Sequence, residues 1–144
     1  MALARSVFGD AIDYSKVCIR RRKWIPFQPR RIAMAPNGHI YFHPGSPSYC
    51  DDFSARSLGS QGFFIHEMTH VWQAQSRGKW YLVWRRHPLS SYAYKLKPDW
   101  SLTSYGIEQQ AEIVRHAFLL RRGVRPAGVG DPAAYERLVD FPGT

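Results

Sequence analysis

No apolar run in this chain of 144 residues reaches the ~18–20 residues that a bilayer-crossing helix needs, which excludes a transmembrane helix. Cysteine is nearly absent. Cys18 and Cys50 stand alone, in no CxxC or CxxH pattern, which argues against a cysteine-closed structural zinc site. The first residues, MALARSVFGDAIDYSK, lack a basic region, an unbroken apolar stretch and a small-residue cleavage site. No signal peptide is therefore expected, and reduced thiols and a cytoplasmic location in the producing cell follow. Acidic residues are also few: eleven Asp and Glu face twenty Lys and Arg, giving a formal charge of +9 and pI ≈ 9.9. Such a charge attracts nucleic acid, anionic lipid or an acidic partner without choosing among them. The basic groups Arg20–Lys23, Arg30-Arg31, Arg85-Arg86 and Arg121-Arg122 are dispersed and read as solvated faces, so nucleic acid is not the favoured partner. Only four Glu occur, and three of them, Glu67, Glu108 and Glu112, fall within two helical motifs.

What is present suits one unit over 1–144, with 44% hydrophobic and 15% aromatic residues to fill a core. Ala2–Phe8 is helix-friendly and stops at Gly9-Asp10. Tyr14–Arg20 alternates like a strand, and a basic loop of about 20–31 carries Pro26 and Pro29. Ile32–Ala35 and His39–His43 flank Asn37-Gly38, a hairpin signal. After a Ser/Pro/Gly/Asp loop, one long helix is expected from about Gln61 to Gln75, stopping at Arg77-Gly78. A flap-like segment of about 79–103 follows. A second long helix is expected from Ser104, as its cap, to Arg122, with Gly123 as the stop, and Asp131-Pro132 opens a last short one. Strands first and helices second make an α+β order.

The chemistry sits in FFIHEMTHVWQAQ, residues 63–75, which contains HExxH. On a helix, His66 and His70 share a face and can bind one zinc ion, while Glu67 can act as base toward a water activated there. That chemistry is peptide hydrolysis without a covalent enzyme intermediate. With six His and four Glu among 144 residues, chance gives this pattern only roughly 0.7% of the time. The bland alternative is a pair of ordinary helix-face histidines, but apolar Phe63, Phe64, Ile65, Val71 and Trp72 would bury that helix, and buried polar groups need a reason.

A catalytic zinc site needs a third protein ligand and an open position. Gln73 and Ser76 stand where HExxHxxGxxH requires Gly and His, so that pattern is excluded. In the 104–114 segment, Glu108 and Glu112 lie four apart on one face. Glu108 is preferred as ligand over Glu112, and both over Asp99, with Glu112 able to hydrogen-bond a ligand histidine. His39, His43, His87 and His116 read as ordinary surface or core residues. Charge stabilisation during hydrolysis needs a further group. Tyr105 is the candidate, with Tyr92, Tyr94 and His87 as alternatives. Of the five Trp, Trp72 reads as core and Trp80 and Trp84 as packing for a long loop.

HExxH followed by ExxxE resembles the gluzincin division of zinc metallopeptidases. FFIHEMTHVWQAQ, YGIEQQAEIVRHAF, FGDAIDYSKV and APNGHIYF together resemble the zincin-type domains attached to bacterial Rhs-type and VgrG-type proteins of type VI secretion, over about residues 8–120. The resemblance implies a compact zincin-like fold in which a small twisted sheet packs on two long helices, with His39–His43 as an edge strand above the zinc. It also implies Glu108 as third ligand and Glu112, where many relatives have Asp, as support. The expected role is an antibacterial effector acting on peptide, protein or peptidoglycan. Its partners would be a spike or Rhs-type carrier and a cognate immunity protein, and it would be delivered to a target cell by a specialised secretion system. The competing reading is a basic nucleic-acid or anionic-surface binding module whose zinc is structural or inactive.

Overall fold

Apolar spacing builds the first helix, α1 (Ala2–Phe8), whose Leu3, Ala4, Val7 and Phe8 all turn into the core. The computed structural model describes residues 1–78, 82 and 91–144. Trp80, Trp84, Arg85-Arg86, His87 and most of the flap-like segment's first half lie outside the described residues. The strand expected over Tyr14–Arg20 shortens to β1 (Ile19–Arg20), because the Asp13 carboxylate takes both the backbone N–H and the hydroxyl of Ser15 and winds Tyr14–Lys16 into a 3-10 turn.

β2 (Ile40–Tyr41) pairs with β1 in parallel, Ile19 opposite Ile40 and Arg20 opposite Tyr41. Tyr41 also exchanges both backbone hydrogen bonds with Met34, at 3.0 and 2.8 Å, across the expected Asn37-Gly38 turn. Gly38 lies at φ 84°, the left-handed region such a turn requires. This corrects the expectation for His39–His43. Ile40 and Phe42 donate to the Cys18 and Arg20 carbonyls while Tyr41 bonds Met34 on the other side, so the segment is central and the outer edge falls to the stretch around Met34.

α2 (Leu58–Arg77) is longer than expected, since Ser57 caps it three residues earlier by accepting the Ser60 N–H. It ends at Gly78. α3 (Ile107–Arg121) starts later than expected. Ser104 is not its cap but the end of a 3-10 turn, Leu102–Ser104, after which Tyr105 is extended and Gly106 takes the cap position, its N–H bonded to Gln109 Oε1. At the other end, the N–H groups of Gly123 and Val124 return to Leu120 and Leu119, a glycine-closed terminus. α4 (Pro132–Leu138) opens as expected with the Asp131 carboxylate accepting the Ala133 N–H.

The result is an α+β arrangement in which α2 and α3 pack along each other and share one core with α1, Phe42, Phe53 and Tyr135. Gly62 sets their separation: a Cβ there would already touch Arg115 Cγ and Leu119 Cδ2 at 3.4 Å. Cys18 and Cys50 are both free thiols. Among the described residues no helix is long and apolar enough to cross a membrane.

Candidate metal centre

The polar faces of α2 and α3 meet inside the molecule. His66, Glu67 and His70 of α2 and Glu108 of α3 are all buried, which for two imidazoles and two carboxylates demands compensating partners. Glu108 Oε2 stands 3.4 Å from His66 Nε2 and 3.3 Å from His70 Nε2. One ligand atom from each of His66, His70 and Glu108 lies within 4.8 Å of the others.

The far side of each ring is held by a hydrogen bond at Nδ1 that orients it. Gln73 Nε2 donates to the Ile107 carbonyl at 3.0 Å, and to Gln110 Oε1 at 2.9 Å. That fixes the amide orientation, so Gln73 Oε1 must accept from His70 Nδ1–H, 2.9 Å away. Gln110 in turn donates to the Tyr105 carbonyl at 2.6 Å. Glu112 Oε1 likewise accepts from His66 Nδ1–H at 2.9 Å. With both Nδ1–H groups so engaged, each ring turns its Nε2 toward the same point.

Two observations fit these residues to a metal ion. His70 Nε2 is buried and makes no hydrogen bond among the described residues, despite a carboxylate oxygen at 3.3 Å. The donor set of two imidazoles and one carboxylate is also one that zinc takes readily, with a position to spare. Burial opposes charge on His66, but the Glu108 and Glu112 carboxylates outweigh it and push its pKa up to about 9. Burial also opposes charge on Glu112, yet His66, Arg115 and His116 together hold its pKa below the ordinary carboxylate value.

Glu112 is a junction rather than a lone support. Arg115 Nη1 donates to its Oε1 at 3.2 Å, and His116 Nε2 lies 3.4 Å from its Oε2. The other ring nitrogen of His116 meets the Tyr94 hydroxyl, which also contacts the Tyr135 hydroxyl at 2.9 Å. His66 and Glu67 open onto a cleft of ≈ 360 Å³ whose walls include Ile32, Ala33, Phe63, Tyr92 and Arg115. Glu67 Oε2 is buried and without a hydrogen-bond partner among the described residues.

The other expected participants are divided between the cleft and the core. Tyr105 is buried in the core, its ring against Trp100 and its hydroxyl accepting the Lys97 N–H at 2.9 Å. The late start of α3 removes it from the helical turn that would have aimed it at Glu108. Tyr92, the alternative, lies with its ring 6.0 Å from that of His66 and nearly parallel to it. Asp99 borders a separate depression with Trp100 and Leu102. Gln73 was legible only as the residue that breaks a longer histidine pattern. Its role in orienting His70 depends on a contact 34 residues away in sequence, which no local pattern shows.

No protein-family profile matches the chain. The type VI secretion system spike protein VgrG2b of Pseudomonas aeruginosa is 48% identical over 125 residues, covering 83% of this chain and 12% of that protein. The chain thus spans only a small part of the curated relative it matches. A solved structure, the effector domain of Pseudomonas aeruginosa VgrG2b, aligns with a TM-score of 0.74 at 39% identity, covering 94% of this chain and 75% of that one. At that identity and coverage, the chain belongs to the family of the VgrG2b effector domain.

Proposed function

We propose that this chain is a zinc-dependent peptidase domain acting as a type VI secretion effector. The observation that carries the reading is the convergence of His66, His70 and Glu108 within 4.8 Å, beside a buried Glu67 in an open cleft. His66, His70 and Glu108 would hold the zinc, and Glu112 and Gln73 keep the two imidazoles in the ligating tautomer. Zinc, when bound, supplies a Lewis acid that activates water and polarises the scissile carbonyl. Glu67 takes the proton of the attacking water and returns it to the leaving nitrogen. Tyr92, above the His66 ring, is the favoured donor to the developing negative charge in place of Tyr105.

Ala33, beside Met34 on the outer edge, lines the same cleft, so an extended peptide can add there as a strand. This replaces His39–His43 as the peptide-binding edge of a zincin-like arrangement. Peptide, protein and peptidoglycan cross-bridges all offer the required amide. Kinship with a spike-borne effector domain supports a spike or Rhs-type carrier, delivery into a target cell, and a cognate immunity protein in the producer. The reading is tested by metal content and amide hydrolysis together. One zinc per chain and hydrolysis abolished by Glu67→Gln with the zinc retained are expected. Turnover unchanged in that variant would sink the mechanism.

A further inference from the structure

The positive charge is unevenly placed. Residues 14–50 hold seven Lys and Arg and no Asp or Glu, leaving thirteen against eleven elsewhere, so about a quarter of the chain carries most of the +9. Six of those cations flank one short apolar stretch, Trp24-Ile25-Pro26-Phe27. Phe27 is 92% exposed, Ile25 42% and Trp24 41%, with Ile32 at 47% on the returning limb.

This tip is built. Gln28 is buried, and its amide closes the loop from inside. Its Oε1 accepts the Trp24 N–H at 2.8 Å, while its Nε2 donates to the Ile32 and Tyr41 carbonyls, both at 2.9 Å. The Gln28 N–H returns to the Ile25 carbonyl, and Lys23 Nζ donates to the Pro26 carbonyl. Pro26 and Pro29 restrict φ on either side of Phe27. The polar groups are thus drawn inward and Phe27 is left pointing into solvent. Beneath the tip, Lys23 and Arg30 lie close enough to His43 to help burial hold its pKa down. The same loop continues into Arg31, Ile32 and Ala33, which line the cleft with His66 and Glu67.

We propose that residues 20–32 dock the domain on an anionic phospholipid bilayer. Phe27, Ile25 and the edge of Trp24 enter the headgroup region, and Arg20, Arg22, Lys23 and Arg30 pair with lipid phosphates. Charge complementarity selects the anionic surface, and the apolar tip selects a bilayer. Nucleic acid would satisfy the cations but offers Ile25 no stacking partner, and a neutral bilayer would leave the cations unpaired. Docked this way, the loop brings the cleft it lines toward the membrane surface.

The test is flotation of the full chain with vesicles of phosphatidylglycerol and phosphatidylethanolamine, against phosphatidylcholine alone, at low and high salt. Binding to the anionic vesicles at low salt is expected, weakening as salt rises. Phe27→Ser should reduce it by ~10-fold or more. Lys23→Gln with Arg30→Gln should reduce it by about 25-fold. Phe27→Trp should keep binding and shift its fluorescence to the blue on the vesicles, and Glu67→Gln should bind like the parent, which separates docking from hydrolysis. Failure to float at low salt overturns the proposal, as does binding that ignores Phe27→Ser. Equal, Phe27-dependent capture by duplex DNA or an acidic protein but not by vesicles would assign the tip to that partner instead.

Discussion

Between α2 and α3, charge is buried and both imidazoles are tied down. His66 is held by Glu112, His70 by Gln73, and Glu108 stands between the two rings. In residues 14–50, charge lies mostly on exposed side chains and, the Lys16–Asp13 ion pair apart, its partners include backbone carbonyls and ring faces, as with Arg21 on the Pro44 carbonyl and over Tyr49. The two regions differ in what polarity costs. An imidazole or carboxylate in the interior forfeits hydration, so its presence there demands a purpose. An arginine on the surface costs almost nothing, and only the joint placement of many is informative.

That contrast predicts a steep gradient of mutational effect. The largest is expected at Glu67: Glu67→Gln should lower amide hydrolysis by ~10²–10⁴-fold, measured against zinc content, which should not change. Next comes the metal itself. Stripping it with a chelator should lower the melting temperature, by about 4 kcal/mol of stability where zinc exceeds its dissociation constant a thousandfold, and Glu108→Ala should abolish that zinc-dependent shift in calorimetry. Gln73→Ala should weaken zinc affinity by ~10–100-fold and cost about 1–3 kcal/mol in a denaturant melt, because it leaves the Ile107 carbonyl and Gln110 buried with one partner fewer. If Gln73→Ala binds zinc like the parent, the interior is less tightly coupled than the hydrogen bonds imply.

Two smaller effects sharpen the boundary between the regions. Tyr105→Phe should cost about 1 kcal/mol of stability through the lost Lys97 N–H bond and leave kcat alone, whereas Tyr92→Phe should lower kcat by ~10²-fold with the melt unchanged. A drop in kcat for Tyr105→Phe would return the stabilising role to that residue. Phe27→Ser should move stability by less than about 0.5 kcal/mol, since that ring is 92% exposed.

How much of this was written locally in the chain follows the range of the interactions involved. HExxH needs only the helical repeat, so the placement of His66, Glu67 and His70 on one buried helix could be read directly. Bringing Glu108 to them required two helices to pack, yet the ExxxE spacing beside an apolar stripe was signal enough. The hairpin at Asn37-Gly38 and the cap at Asp131 were likewise short-range. Two of the differences share one cause, competition by a side chain with the backbone. Asp13 turns a would-be strand into a 3-10 turn, and Gln109 with Gly106 moves the start of α3 past Ser104, leaving Tyr105 extended with its hydroxyl on the Lys97 N–H. The centrality of β2 was invisible because its parallel partner lies about twenty residues upstream. The basic loop looks in sequence like dispersed charge, because the buried Gln28 that organises it resembles any surface glutamine.

The close contact at Gly62 gives the centre a particular manner of failing. Both histidines ride on α2, and Glu108 and Glu112 ride on α3, so the donors are grouped by helix. Widening the crossing with a bulkier residue at position 62 would displace ligands in pairs, parting each imidazole from its carboxylate at the same moment. Such a lesion would behave as a clutch disengaging rather than as the loss of one tooth, and zinc in excess would not restore it.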